Sequence, residues 1–299
     1  MDWKTVAEKI VQDDQNKWDR RMLAEELEVA DGADMNPFSD LAISQFCAKM
    51  DIPVRYFRRL PDKFKIILGN HDLERLKGTS FLIRGKGDWI RAFLSADYVA
   101  YNNREISEVV QGLLAKGNVS VKDFVLEETN MFLKVISEDI WDVESGLKAG
   151  ILIGNSEVGM GSVSVEPFVF RKPCTNDLIV SQEKSFRHAH IHLTAYELTR
   201  RMAEAVSDGF RVASSVLDVF LKSRKQPIDD PLQTIRKIAE ARQFSQKLTD
   251  EVVSSYLVEP EANRFGVINA FTNAAQKLGP LQRIEMERFA GRLLEAPLQ

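Results

Sequence analysis

The segment that most constrains the fold is residues 150–176, GILIGNSEVGMGSVSVEPFVFRKPCTN. Its composition predicts two strands joined by a turn rich in Gly, Asn and Ser, followed by a basic corner that contains Cys174. The apolar residues of the second strand change face near Pro167. Because proline cannot donate to a strand ladder, we expect a bulge or an edge position there.

Apolar residues recur with different periods on the two sides of this segment. Short β-branched and aromatic runs bounded by turn signals begin at Thr79 and predict a mostly antiparallel sheet that extends to about residue 192. The N-terminal residues have helical spacing instead, as does the chain after a capping box at Thr194–Glu197. The sequence therefore predicts an α+β protein with a helical N-terminal segment (1–78), a mixed α/β body with a central antiparallel sheet (79–224) and a helical C-terminal region (225–299).

Composition restricts the class of protein. The chain has 299 residues and a formal net charge of −4, and it contains no apolar run near the roughly 20 residues of a membrane span. The charged, amphipathic N-terminus lacks the apolar core of a signal peptide. Its two cysteines, Cys47 and Cys174, are too few for a disulfide framework and lack zinc-site spacing. We expect a reduced, cytoplasmic protein of a bacterial host, with no membrane association.

The glycine-rich turn at 154–162, GNSEVGMGS, has only a superficial likeness to a phosphate-binding loop. Met160 occupies the lysine position, and the flanking segments have the pattern of two strands rather than of a strand and a helix. Cys174 lies beside basic residues, but no base or oxyanion hole can be assigned to it. The sequence thus favours a binding protein over an enzyme and predicts no cofactor.

Three histidines alternate in the segment FRHAHIHL, namely His188, His190 and His192. On a strand, alternate side chains share a face, so the three imidazoles could hold zinc or iron. No carboxylate stands inside the motif to orient them. This favours surface or nucleic-acid-facing histidines and leaves a metal-dependent enzyme as an alternative.

Cations and aromatic residues are interleaved between residues 55 and 101. Residues 55–77 alone contain seven cations and three acids, a local charge of 7 − 3 = +4 on a chain of net −4. Cations neutralise phosphates, and aromatic rings stack on unpaired bases. The alternative is a solvated helix beside a sheet whose aromatics are core.

In the nucleic-acid hypothesis, each residue has a role. The residues expected to neutralise phosphates are Arg55, Arg58, Arg59, Lys63, Lys65, Arg84, Lys86 and Arg91. The residues expected to stack on bases are Trp89, Tyr98 and Tyr101. The residues expected to line the far side of the groove are Arg171, Lys172, Arg187 and His188.

Four blocks resemble, in order, a phage- and plasmid-encoded family of unknown function. They are DWIRAFLSADYVAYNNREI, GILIGNSEVGMGSVSVEPFVFRKPCTND, FRHAHIH and NAFTNAAQKLGPLQRIEMERFAGRLL, within about residues 79–295. Asp177 stands where the family usually has Gly, and Phe265 where Trp or another aromatic is expected. The resemblance implies a mobile-element protein, with a more remote likeness to RecT-like single-strand annealing proteins at the level of fold.

Together these observations predict a single-stranded DNA-binding protein, with strand annealing as an extension, that acts in replication or recombination of a mobile element. A homo-oligomer would increase its hold on a strand through multivalency. The amphipathic helix Thr194–Leu221 is a candidate contact surface, with packing inside the monomer as the favoured alternative. Phage or host replication proteins are further expected partners. The other alternative is a host-takeover or anti-defence protein that acts through a protein partner.

Overall fold

The computed structural model describes residues 1–29, 38–142, 144–171, 176–179 and 185–294. Within them the predicted α+β class is confirmed: helices lie at both ends and antiparallel sheets in the middle. The helices are α1 (Trp3–Asp14), α2 (Asp40–Lys49), α3 (Val54–Arg59), α4 (Asp62–Arg75), α5 (Asn103–Leu114), α6 (Ala195–Lys222), α7 (Pro231–Ala241), α8 (Gln246–Val258), α9 (Arg264–Ala275) and α10 (Pro280–Arg292). The strands are β1 (Lys17–Leu23), β2 (Ser80–Lys86), β3 (Trp89–Ser95), β4 (Val119–Leu126), β5 (Met131–Asp142), β6 (Leu147–Asn155), β7 (Val163–Arg171), β8 (Asn176–Ile179) and β9 (Phe186–His188).

A small antiparallel sheet has the strand order β1-β2-β3. One face packs against α2, α3 and α4 through an aromatic core. The ring centroid of Phe93 lies 5.3 Å from that of Phe46 and 4.8 Å from that of Phe81. Phe57 of α3 joins this core with its ring centroid 6.0 Å from that of Phe46, which holds a helix that carries predicted basic residues.

β1 corrects the prediction that residues 1–78 are helical. It pairs antiparallel with β2, from Lys17 opposite Lys86 to Leu23 opposite Ser80. The sequence did not predict this strand because charged residues interrupt the alternation of apolar residues in KWDRRML. The strand exists through pairing with a distant segment.

The large sheet has the order β4-β5-β6-β7-β8, and β9 pairs with one end of β7. Both faces are buried, because α1, α5 and α6 cover one and α10 packs on the other. This double cover explains why valines and phenylalanines alternate along β7. β6 pairs antiparallel with β7, which confirms the predicted pairing across the glycine-rich turn.

Pro167 lies inside β7 opposite Ile151, and the β6–β7 register contains no shift, so there is no bulge between these two strands. On the other side of β7, β9 pairs with residues 163–165 and β8 with residues 168–171. Among the described strands Pro167 therefore has no neighbour on that side. This matches the edge-like alternative.

The turn between β6 and β7 packs on the second face of the small sheet. Val158 is buried there beside Leu82 and Leu94, and Gln45 donates to its carbonyl at 2.7 Å. Gly159 has a φ of 77°, and a Cβ at this position would lie 2.8 Å from Leu94. The turn thus needs glycine for its backbone and for its close packing.

α6 begins with the predicted capping box. The Thr194 hydroxyl accepts from the Glu197 N–H at 3.2 Å, and the Glu197 carboxylate accepts from the Thr194 N–H at 2.8 Å. Helices α7 to α10 form a layer whose apolar core also contains Leu147 and Val169 of the large sheet. None of the helices in the described part of the chain is both long enough and apolar enough to cross a membrane.

Candidate nucleic-acid interface

Helices α3 and α4 carry the exposed part of the predicted interface. Pro53 and Pro61 precede them and fix where they begin. Phe57 and Leu73 are buried in the core of the small sheet and anchor the two helices. The remaining faces of α3 and α4 project into solvent.

Three large apolar side chains stand on these solvent-facing surfaces. Tyr56 is 56% exposed, Phe64 54% and Ile67 56%. Phe64 and Ile67 are three residues apart on α4 and therefore share one face of it. Contiguous exposed apolar patches, unlike single exposed side chains, are typical of interaction sites.

The same two helices carry five of the predicted phosphate-binding cations. Within the described residues, Arg55, Arg59 and Lys63 are exposed and form no ion pair. Arg58 pairs with Asp40 at 3.1 Å, and Lys65 pairs with Asp62 at 2.8 Å. We refer to these five cations together with Tyr56, Phe64 and Ile67 as the α3–α4 surface.

Arg84 and Arg91 are not part of this surface, which corrects their predicted role. Arg84 is 2% exposed and binds both carboxylate oxygens of Asp19, at 2.7 and 3.1 Å. It also donates to the Glu157 carbonyl at 2.7 Å. Arg91 is 7% exposed and donates to the Glu157 carboxylate at 3.2 Å. Both guanidiniums donate their hydrogen bonds to acceptors inside the protein and are too buried to contact a phosphate.

Glu157 is the centre of this buried network. Besides Arg91, its carboxylate accepts from Lys17 Nζ at 2.6 Å and from the Asn103 N–H at 2.8 Å. Burial alone would raise its pKa, but the lysine, the N–H and the arginine together lower it below the usual value. Glu157 comes from the glycine-rich turn, so this turn serves to hold the two sheets together.

The two predicted stacking tyrosines are also core residues, because their rings are buried. Tyr98 is 7% exposed and its hydroxyl donates to the Ser156 carbonyl at 2.8 Å. Tyr101 is fully buried, and its hydroxyl accepts from Thr199 at 3.1 Å. Burial raises the pKa of both phenols. Neither ring can stack on a base in this structure.

Trp89 and Lys86 lie at the tip of the β2–β3 hairpin, opposite each other in the ladder. Trp89 is 57% exposed, as a stacking role requires. Lys86 pairs with Asp13 of α1 at 2.8 Å, and it is therefore partly neutralised. The hairpin therefore presents the exposed ring of Trp89 and the cation of Lys86, which is already paired with Asp13.

Three of the four residues predicted for the far side of the groove have partners inside the protein. Arg171 is buried and forms a two-pronged pair with Glu259. Arg187 donates to the buried Glu166 at 3.1 Å. His188 Nδ1 lies 2.6 Å from the neighbouring carbonyl of Ala189. Lys172, like Cys174, lies outside the described residues.

The three alternating histidines do not form a metal centre. Among the described residues, which include all three, no group of His, Cys, Asp or Glu has metal-binding geometry. β9 ends at His188, and the chain then bends, with His192 at a φ of 64°. Since the strand period stops after one histidine, the imidazoles do not share a face.

His190 instead lies in the core between the two sheets. Its ring stacks on Tyr98 with a centroid distance of 4.8 Å and an interplanar angle of 4°. Nδ1 lies 3.3 Å from the Val99 carbonyl, and Nε2 is buried with no partner. Burial lowers the pKa of His190 to about 4, so the imidazole is neutral at neutral pH.

Sequence reasoning missed Tyr56 and Phe64 as candidate binding residues. The signal was available, because both lie among the cations of 55–65 while only Phe57 is needed as a core anchor. The helical period predicted for this segment, applied to each aromatic residue in turn, separates the buried ring from the two exposed ones.

No protein-family model, curated protein or solved structure matches this chain. Function must therefore be inferred from the chemistry of the exposed residues. The resemblance of the four sequence blocks to a phage and plasmid family stays a prediction.

Proposed function

We propose that the protein binds single-stranded DNA through the α3–α4 surface. The observation that carries the proposal is the coincidence of exposed Tyr56 and Phe64 with three unpaired cations on two consecutive helices. Cations alone would suit any polyanion. Exposed rings beside them suit a polyanion whose bases are unpaired and free to stack.

The number of cations sets the expected salt dependence. Each phosphate neutralised on a single strand contributes a slope of about −0.7 to the logarithm of affinity against the logarithm of salt concentration. Three to five contacts therefore predict a slope of about −2 to −3.5. Raising salt from about 50 to about 200 mM should weaken binding roughly 20- to 130-fold.

The test is fluorescence anisotropy of a labelled oligothymidylate with the full chain. Arg59→Glu combined with Lys63→Glu removes two unpaired cations. At about 0.1 M salt this should weaken binding by about 25-fold or more and flatten the salt slope by about 1.4. The matched control is Lys4→Glu with Lys116→Glu, which makes the same change in net charge at exposed residues of α1 and the α5–β4 turn.

Three results would count against the proposal. They are binding that ignores salt, equal loss in the two double variants, and preference for duplex over single strand at equal salt. A protein partner at the same surface would give no oligonucleotide binding at all. The Tyr56→Ala, Phe64→Ala variant should lose affinity with little change in salt slope, since stacking releases few counterions.

The biological setting is part of the same proposal. The family resemblance supports a mobile-element protein that holds single strands during replication or recombination, with annealing and a homo-oligomer as its extensions. A single α3–α4 surface is small, and repeating it in an oligomer would strengthen binding along a strand.

A further inference from the structure

An exposed groove, separate from the α3–α4 surface, lies in the C-terminal helical layer. It runs between the α7–α8 junction and the α9–α10 junction and has a volume of about 710 Å³. Ligand sites in proteins commonly have volumes in the range of about 300–1,000 Å³. The groove is formed entirely by residues after Lys222, far in sequence from the α3–α4 surface.

The floor of the groove is apolar and aromatic. Phe289 and Met286 are each 5% exposed and lie at its base, with Leu248, Leu278 and Leu281 along the walls. The Phe289 ring packs edge-on against Phe244 and against Phe271, with 5.5 Å between centroids in each pair. This packing makes the floor rigid.

The rim of the groove is basic. Arg242 and Arg292 lie on the same ring, with Cζ atoms 5.3 and 5.7 Å from the Phe289 centroid. Within the described residues, neither arginine nor Lys247 has a carboxylate partner. Two like charges held near one apolar ring attract an anion that also carries apolar groups.

The acids of the groove do not cancel this charge. Glu251 pairs with Lys277, and Glu285 pairs with Arg288 at 2.6 Å. Four cations (Arg242, Lys247, Lys277 and Arg292) line the groove against two acids, so its lining keeps a net positive charge. A nucleic-acid strand would bind the basic rim but leave the apolar walls exposed to water. A purely apolar peptide would cover the walls but leave the arginines without an anion.

We propose that this groove binds an acidic amphipathic peptide of a protein partner, with apolar side chains on Phe289 and carboxylates on Arg242 and Arg292. Arginine clusters recognise acidic motifs, and apolar grooves recognise amphipathic helices. The inference is independent of DNA binding, because the two sites share no residue.

The test uses the full chain and a labelled ten-residue peptide. The peptide is designed as an amphipathic helix, with leucine and phenylalanine on one face and aspartates on the other. One comparison peptide has asparagine for every aspartate, and another has alanine for every leucine and phenylalanine. We expect anisotropy to show binding of the first peptide and at least tenfold weaker binding of the other two.

Arg242→Glu with Arg292→Glu should weaken peptide binding at least tenfold and leave oligothymidylate binding unchanged. Arg236→Glu with Lys237→Glu, on the exposed side of α7, is the charge-matched control and should change neither. If charge reversal destabilises the layer, the milder Arg242→Gln, Arg292→Gln variant should still weaken peptide binding.

The proposal is overturned if the acidic peptide fails to bind, or if the asparagine peptide binds as well. It is also overturned if both reversal variants lose binding equally. Competition by oligothymidylate that persists in the Arg59→Glu, Lys63→Glu variant would assign the groove to nucleic acid instead.

Discussion

Replacement of His190 by phenylalanine tests whether this imidazole is a neutral core group. The aromatic replacement keeps a ring on Tyr98 but cannot take up a proton. The wild-type pKa is lowered from 6.5 to about 4. The unfolded chain therefore binds a proton more readily than the folded protein, and stability is lost as pH falls from about 6.5 towards 4.

The magnitude follows from these two pKa values. Between pH 8 and pH 4.5 the imidazole should lower the free energy of unfolding of the wild type by about 2.5 kcal/mol. The variant lacks this loss. At pH 8 it gives up only the weak contact between Nδ1 and the Val99 carbonyl at 3.3 Å, which costs about 0.5–1 kcal/mol.

The two proteins should therefore change order with pH. Urea denaturation followed by circular dichroism should find the variant less stable at pH 8 and about 1.5–2 kcal/mol more stable at pH 4.5. The charged and titratable groups near the imidazole (Arg84, Glu157, His188, Tyr98 and Tyr101) are present in both proteins, so the comparison isolates the effect of the imidazole. Equal pH sensitivity in the two proteins would refute a buried neutral imidazole.

Two other substitutions test how the fold is held together. Lys134 is 2% exposed and pairs with both Asp177 and Glu287 at 2.6 Å. Lys134→Met should cost about 3 kcal/mol, the lower end for breaking a buried ion pair, because Lys122 still pairs with Asp177 and Arg283 still lies 3.8 Å from Glu287. A loss below about 1 kcal/mol in urea denaturation would show that this cluster is not a buried charge network. Thr194→Ala removes the cap of α6 and should lower the free energy of unfolding by about 1 kcal/mol, measured the same way, whereas an unchanged value would argue against the cap.

Most helices and strands of the fold could be predicted from local patterns, but β1 could not. Helix α2 starts after the predicted cap Ser39, and the strands before and after the glycine-rich turn fall where their apolar residues indicate. β1 was missed because it is stabilised by pairing with β2, more than fifty residues away in the chain. A local pattern carries no information about such a partner.

The fate of the predicted cations could not be read from the sequence. Arg84 and Arg91 look the same as Arg55 and Arg59 in a count of charges. Their acceptor Glu157 is 73 and 66 residues away, respectively, and only the fold brings it near. A local excess of positive charge therefore includes cations that are neutralised inside the protein.

The aromatic residues divide for a similar reason. Tyr98 is buried between the small sheet and the glycine-rich turn, and Tyr101 is buried in the core of the large sheet, whereas Tyr56 and Phe64 lie on helices covered on one side only. Burial depends on what packs against each face, which the spacing of residues leaves open. The α3–α4 surface therefore contains fewer residues than the predicted groove, and its rings are exposed.

Photochemical crosslinking tests the central claim most directly. An oligonucleotide containing 5-iodouracil, irradiated in complex with the full chain and mapped by mass spectrometry, reports which side chains contact the bases. We predict crosslinks at Tyr56 and Phe64, lost with binding in the Arg59→Glu, Lys63→Glu variant. Crosslinks confined to Trp89 or to the C-terminal groove, with Tyr56 and Phe64 unmodified, would contradict the assignment of the α3–α4 surface.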